Sequence, residues 1–271
     1  MFFYIFFFAY LCKKLFSMKI LKLVAKFFVS IYMWTVMFVS AFIILTINLI
    51  ALFFVKPQTI CKTVKRMLKI MFKILFIKVE CEMPEGFDYN QSYIIMPNHI
   101  SFFDIPVVCS TLPNYTFGIE AESHFSWPIY GFFIKKYGTL PINRKSVLKS
   151  FHTFEEAAVK MKERNASLLV FPEGHRSETG KIQQLKKIPF KMAQIVKVPI
   201  LPVGLTGLYD LSPKGGFFLW PNPVKVKYGS PIPVEEYEGL KPEDIAKVVR
   251  QRIISLSEDD IVPEDEKNEI Q

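Results

Sequence analysis

The sequence predicts an α/β fold, a mostly parallel sheet flanked by helices, preceded by an N-terminal membrane-embedded helical segment. Three observations carry this. Residues 27–55 run for 29 positions without a charge, Gly or Pro, more than the roughly 20 needed to cross a hydrocarbon core. Beyond residue 81, short apolar runs alternate with segments of helical periodicity, the pattern of a parallel sheet covered on both faces. Finally, the 27 Phe residues are concentrated in the first 80 positions, which separates a lipid-seeking end from a globular one.

Taken in order, residues 1–11 are apolar but too short to span, and no basic residue precedes them as a secretory signal requires. Lysines flank the long apolar run on both sides, at 13, 14, 19, 22 and 26 before it and at 56, 62, 65, 69, 73 and 78 after it. Both flanks therefore read as cytoplasmic, which a hairpin or helices lying in one leaflet satisfy better than a straight crossing. Bases at 62, 65, 66, 69 and 73 with apolar residues between them predict an amphipathic helix over 58–78. It reads either as interfacial or as a surface helix packed on the soluble core.

Met83-Pro84-Glu85-Gly86 marks a turn, after which strands are predicted at 92–96, 115–119, 139–142, 167–171, 200–204 and 224–228. Helices fit 106 to about 112, 128–137, 146–164, 187–197 and 242–256, with Pro106 suited to a first turn. The domain division is 1–80 for anchoring and interfacial helices, 81–257 for the α/β domain, and 258–271 for an acidic tail with too little apolar surface to fold.

That tail holds seven acids against Lys267, so of the formal net charge of +9 the remaining chain carries about +15. A basic body suits nucleic acid, an anionic membrane or a phosphorylated substrate. The bases cluster around the lipid-seeking segments, which argues against nucleic acid. Four cysteines without Cys-x-x-Cys spacing read as reduced packing residues, and no compact His/Cys/Asp/Glu spacing suggests a metal.

Two motifs follow predicted strands and so fall at strand carboxyl ends, where α/β folds place ligands. The first is Asn98-His99-Ile100-Ser101-Phe102-Phe103-Asp104. On an ideal helix His99 and Asp104 would lie about 140° apart, so they meet only across a turn. There Asp104 can cap the following helix and accept the imidazole proton, leaving the other ring nitrogen as a base for an alcohol. A structural pair or a plain helix cap is the alternative reading. No Gly-x-Ser-x-Gly elbow or other placed nucleophile accompanies the pair, so direct attack by a substrate hydroxyl fits better than a covalent intermediate. The second motif, Phe171-Pro172-Glu173-Gly174-His175-Arg176-Ser177, ends like Gly138-Thr139-Leu140-Pro141-Ile142-Asn143-Arg144 in an arginine beside a strand end. Arg144 and Arg176 together can hold a phosphate, or each is a solvated surface charge.

These residues resemble the glycerolipid acyltransferases typified by lysophosphatidic acid acyltransferase. Asn98 to Asp104 resembles that family's first block, Gly138 to Arg144 its second, Phe171 to Ser177 its third and Val198-Pro199-Ile200 its fourth, in that order over residues 93–204. The resemblance implies His99 as general base and Asp104 as its partner. It implies substrate contacts at Asn98, Arg144, Glu173, Gly174, Arg176 and Ser177, and an acyl-donor site shaped by Val198, Pro199 and Ile200. The implied reaction converts 1-acylglycerol-3-phosphate to phosphatidic acid, with acyl-CoA or acyl-carrier protein as donor, no metal or redox cofactor, and a membrane location with the active site on the cytoplasmic side. The implied partners are membrane lipids, a lysophospholipid acceptor and the acyl donor. Pro141, Asn143, His175, Ile188-Pro189 and Ala121-Glu122-Ser123-His124 depart from the commonest pattern. They leave open another lysophospholipid or hydroxylated lipid as acceptor; a non-catalytic anionic-lipid-binding protein is the reading from a different class.

Overall fold

The computed structural model describes residues 2–143 and 147–257, with side chains described for 18–143 and 150–257. Arg144 and the acidic tail, both singled out above, lie outside the described residues. Helix α1 runs Phe2–Ala51 and is followed by α2, Pro57–Ile74, whose first position suits proline because that N–H has no helical partner. The two pack antiparallel as a hairpin: the Tyr32 hydroxyl donates to Ile74 O (2.7 Å), and the Asn48 amide lies near Met67 Sδ (3.5 Å).

Helix α1 has two faces. Ser30, Met33, Met37, Ile44 and Asn48 are buried, whereas Phe28, Ile31, Phe38, Phe42, Ile47 and Ile50 are exposed, each set recurring at three or four residues as one helical stripe must. The stretch Met18–Ala51 is long and apolar enough to cross a membrane. In α2 the apolar stripe Ile60, Cys61, Leu68, Met71 and Phe72 is buried by contact with α1 and with α3, Asp104–Thr111. The reading as a helix packed on protein therefore describes that stripe, while Ile70, Ile74 and Phe76 stay exposed.

The chain then supplies β1 (Val79–Glu82), β2 (Ile94–Pro97), α3, β3 (Thr116–Ala121), a 3-10 turn (Glu122–Ser126), α4 (Tyr130–Tyr137), β4 (Leu140–Ile142), α5 (Val147–Arg164) and β5 (Ser167–Leu169). It continues through α6 (Ile188–Val196), β6 (Ile200–Thr206), α7 (Leu208–Leu211), β7 (Val224–Tyr228), α8 (Val234–Tyr237) and α9 (Pro242–Leu256). The strands form one sheet in the order β1-β7-β6-β2-β5-β3-β4. All pairings are parallel except β6 with β7. The mostly parallel α/β fold is thus as expected, and every predicted strand is found within a few residues.

Strand β1, the 3-10 turn, α7 and α8 were not expected. Each is five residues or fewer, too short to display a hydrophobic period. On one sheet face Met33, Phe72, Leu75, Phe103 and Val107 pack against Leu201, Val203 and Val226. On the other, Phe154, Met161, Phe190, Val249 and Ile253 pack against Ile94, Phe117 and Leu168. The helical hairpin is therefore joined to the sheet's core rather than tethered to it by a linker.

Candidate active site

The carboxyl ends of β2, β5 and β6 share one sheet edge, and the motif residues are assembled there. After Pro97 the chain leaves β2 and turns through residues 98–103 before α3 begins. Asp104 is the first residue of α3 and is completely buried. Its Oδ2 accepts from Ile100 N (2.7 Å) and Ser101 N (2.9 Å) and lies 2.7 Å from His99 Nδ1. The carboxylate thus folds the loop back on itself instead of capping α3, which has no side-chain cap. With the Nδ1 proton shared to Asp104, Nε2 is left as the lone-pair nitrogen. Burial raises the Asp104 carboxyl above its usual range, opposed by the His99, Ser101 and Ile100 donors. Its other oxygen is buried without a partner among the described residues, which accounts for the cost of ionising it.

The His99 side chain keeps 17% exposure. Phe171, just past β5, stacks on one face of the imidazole with centroids 4.2 Å apart, which holds the ring plane. His99 is also held through its backbone: Glu173 Oε1 accepts from His99 N (2.7 Å), and His99 O accepts from Ser177 N (2.8 Å). The two motifs are therefore laced together at the His99 backbone, through the Glu173 carboxylate on its N–H and the Ser177 N–H on its carbonyl.

Several residues expected to touch substrate have a different placement. Asn98 is fully buried; its amide donates to Leu205 O (3.0 Å) and its carbonyl accepts from Leu205 N (2.7 Å), clamping the loop to β6. Glu173 is also fully buried, and its second oxygen accepts from Gln183 N (3.0 Å). Burial pushes its carboxyl up to about 7, against the two backbone donors and Arg250. Neither side chain reaches solvent, so both position the loops in this structure. Gly174 takes a φ of +78°, with its N–H on Phe171 O (3.1 Å); a Cβ there would make only an ordinary contact with Lys186 Cγ at 3.5 Å, so the turn's backbone, not crowding, favours glycine.

Ser177 is buried, its hydroxyl 3.5 Å from that of Thr179. Arg176 is half-buried, its guanidinium 5.8 Å from the centroid of the exposed Phe102 ring. Of the expected phosphate-binding pair it is the member whose surroundings are described.

Val198, Pro199 and Ile200 sit elsewhere. Ile94 pairs with Ile200 and donates its N–H to Pro199 O, so this triplet enters β6 at the edge opposite His99. Five residues of strand rise separate the two edges, roughly 16 Å at about 3.3 Å each. Val198 lines an open cavity of 560 Å³ with Ser92, Val159, Lys162 and Asn165. The triplet is thus not part of the His99 neighbourhood, because motif order along the chain does not say which end of a strand a motif occupies.

Three residues to which the sequence assigned no role belong to the site's support. Phe171 carries the stacking contact, and an aromatic just before a Pro-Glu-Gly turn was visible as a signal. Gln183 contributes only a backbone N–H, for which sequence holds no signal. Arg250, buried on α9, donates to Gln183 O and Ile182 O (both 3.1 Å) and so fixes the segment that holds Glu173.

Residues 78–206 match the acyltransferase family model. Among curated proteins the chain resembles a 1-acyl-sn-glycerol-3-phosphate acyltransferase of Cocos nucifera, 29% identical over 68% of this chain and 58% of that protein. It also resembles those of Limnanthes douglasii (31% identical, 58% and 56% covered) and Ovis aries (alpha form; 28%, 66% and 62%). The chain thus spans somewhat over half the length of these relatives. Among solved structures, the 1-acyl-sn-glycerophosphate acyltransferase PlsC of Thermotoga maritima superposes with a TM-score of 0.71 at 24% identity, covering 86% of this chain and 96% of that one, which fixes the fold. Residues 78–206 of this chain therefore form an acyltransferase-family domain.

Proposed function

We propose that this chain transfers an acyl group from a thioester, acyl-CoA or acyl-carrier protein, to the free hydroxyl of 1-acylglycerol-3-phosphate, giving phosphatidic acid for phospholipid biosynthesis. The observation that carries the reading is the His99 imidazole, bonded at Nδ1 by buried Asp104, stacked on Phe171, and with Nε2 uncommitted among the described residues. Nε2 takes the proton from the acceptor hydroxyl as its oxygen attacks the thioester carbonyl carbon. The C–S bond breaks, the ester C–O bond remains, and the imidazolium returns the proton to the leaving thiolate. Asp104 stabilises the imidazolium that forms in between. Arg176 is the described cation available for the acceptor phosphate, and Arg144 is assigned the same role. The reading uses no metal or redox cofactor.

The enzyme works at a membrane in this reading, its site open to the cytoplasmic side. The two faces of α1 favour residence in one leaflet over a straight crossing. Its inner stripe is covered by protein from Ser30 to Asn48, so a vertical span would carry the α/β domain into the hydrocarbon, where its loops could not be solvated.

The test uses vesicles carrying the wild-type chain or His99→Ala, supplied with acyl-CoA and lysophosphatidic acid. Phosphatidic acid formation should fall by about 10²–10⁴-fold in the variant, the usual worth of a general base. Equal product from both would end the assignment, and lysophosphatidic acid proving the poorest of a panel of lysolipid acceptors would end the substrate claim.

A further inference from the structure

The segment between α7 and β7, residues 212–223, exposes three aromatic rings in four positions. Phe217 is 48%, Phe218 37% and Trp220 47% exposed, while Leu219 between them is completely buried. This is not a loose loop. Ser30 Oγ of α1 accepts from Leu219 N (2.9 Å) while its own proton goes to Lys26 O (2.6 Å), and Trp34 Nε1 donates to Phe217 O (2.8 Å). The turn at its start is closed by Gly216 N on Pro213 O (3.1 Å). Backbone and Leu219 are thus committed inward, and the aromatic rings are held outward against the pull of the hydrophobic effect. A solvent-facing loop has no reason for such an arrangement.

The rings extend the exposed apolar face of α1. Phe27 and Phe217 lie 5.9 Å apart by centroid, Phe217 and Phe218 5.6 Å. Lys26 stands 5.9 Å over the Phe218 ring, and Lys19 and Lys22 are exposed on the preceding turns of α1. Bases beside a patch of Trp and Phe match the charge and polarity of an anionic bilayer interface. The same segment reaches the active site, for Ser101 Oγ donates to Ser212 O (2.9 Å) and Trp34 lies 6.1 Å from Phe102.

We infer that residues 213–222 form a second lipid-contacting element, which inserts Phe217, Phe218 and Trp220 into the interfacial layer and sets the His99 loop at the membrane surface to receive acceptor directly from it. This rests on the membrane-bound reading of α1. The full chain carries tryptophan at 34, 127 and 220 only, so Trp127→Phe leaves one reporter on α1 and one on the segment, and adding Trp220→Phe isolates Trp220 by difference.

Both variants are placed in vesicles of phosphatidylcholine and phosphatidylglycerol, with acyl chains either plain or brominated near the headgroups. Trp220 emission should be blue-shifted and strongly quenched by the bromolipid. Quenching of Trp34 without Trp220 overturns the inference and leaves the membrane reading standing; quenching of neither overturns both. Blue-shifted but unquenched Trp220 means that protein, such as a second copy, covers the patch, and also overturns it. In a parallel arm, Phe217→Ser/Phe218→Ser/Trp220→Ser should lower kcat/KM for a long-chain lysolipid in vesicles about tenfold, with less than about twofold effect on a dissolved short-chain acceptor. An equal fall on both acceptors, or none on either, refutes the role.

Discussion

Glu173→Gln replaces the buried carboxylate with a group of the same shape and one fewer acceptor. Both Glu173 oxygens accept backbone N–H groups, from His99 and Gln183. In the variant one of those N–H groups meets the amide NH₂ instead, which costs about 1–3 kcal/mol for a buried donor without a partner. The loss acts on the His99 loop or on the 182–183 segment, so kcat should fall at least tenfold, by about 1.4 kcal/mol in the barrier or more. Ionisation adds a pH dependence. The wild-type carboxyl is raised from 4.5 to about 7, so its protonated form contributes stability below about 4.5 that is lost as pH rises through about 7. At 1.36 kcal/mol per unit, this amounts to about 2–3 kcal/mol between pH 5 and 8. Gln does not titrate. The stability gap between wild type and variant should therefore be larger at pH 5 and shrink by that amount at pH 8, read by denaturant unfolding of the full chain in detergent at each pH. A gap that widens toward pH 8 would show that the two donors favour the anion more than burial opposes it, and would refute the reasoning.

Asp104→Asn can keep its oxygen on Ile100 N and Ser101 N, so thermal unfolding should shift little. It loses the charge that stabilises the imidazolium, and kcat should fall by about 10²-fold or more; a large loss of stability with activity intact would contradict this. Asn98→Ala leaves Leu205 N–H and C=O unpaired in a fully buried place, and should destabilise by about 2–5 kcal/mol in the same unfolding assay. Arg176→Ala should raise KM for a phosphate-bearing acceptor and leave the donor KM unchanged, and steady-state kinetics varying each substrate in turn decides this.

The long elements were legible because their periods repeat. The helix at 242–256 and the strands at 200–204 and 224–228 are found where spacing put them. The His99 and Asp104 contact was legible as a turn, since five residues exclude a shared helical face. What a motif residue does within its turn was not. Glu173 reads in sequence as a polar side chain available to ligand, yet its partners are two main-chain N–H groups, one of them 74 residues away. Asn98 is satisfied by a residue 107 positions on. Such bonds depend on strand order, which a linear pattern does not carry. Nor does it say that Val198-Pro199-Ile200 lies at the sheet edge opposite His99, where the parallel register of β2 and β6 sets it. A short strand such as β1 is invisible for another reason, being defined by its pairing with β7 rather than by its own four residues.

The bond between Ser30 and Leu219 spans 189 residues, and this has a consequence for the order in which the protein is made. Helix α1 leaves the ribosome before the elements that cover its inner stripe, and Val79 of β1 waits for Val224 of β7. A nascent chain halted before about residue 219 would carry Ser30 uncovered on a helix already seeking lipid, with β1 open beside it. Only the segment around Leu219 covers the Ser30 end of that stripe, the Asn48 end being covered earlier by α2, so termination before that segment is made should yield a species that membranes retain and proteases clear.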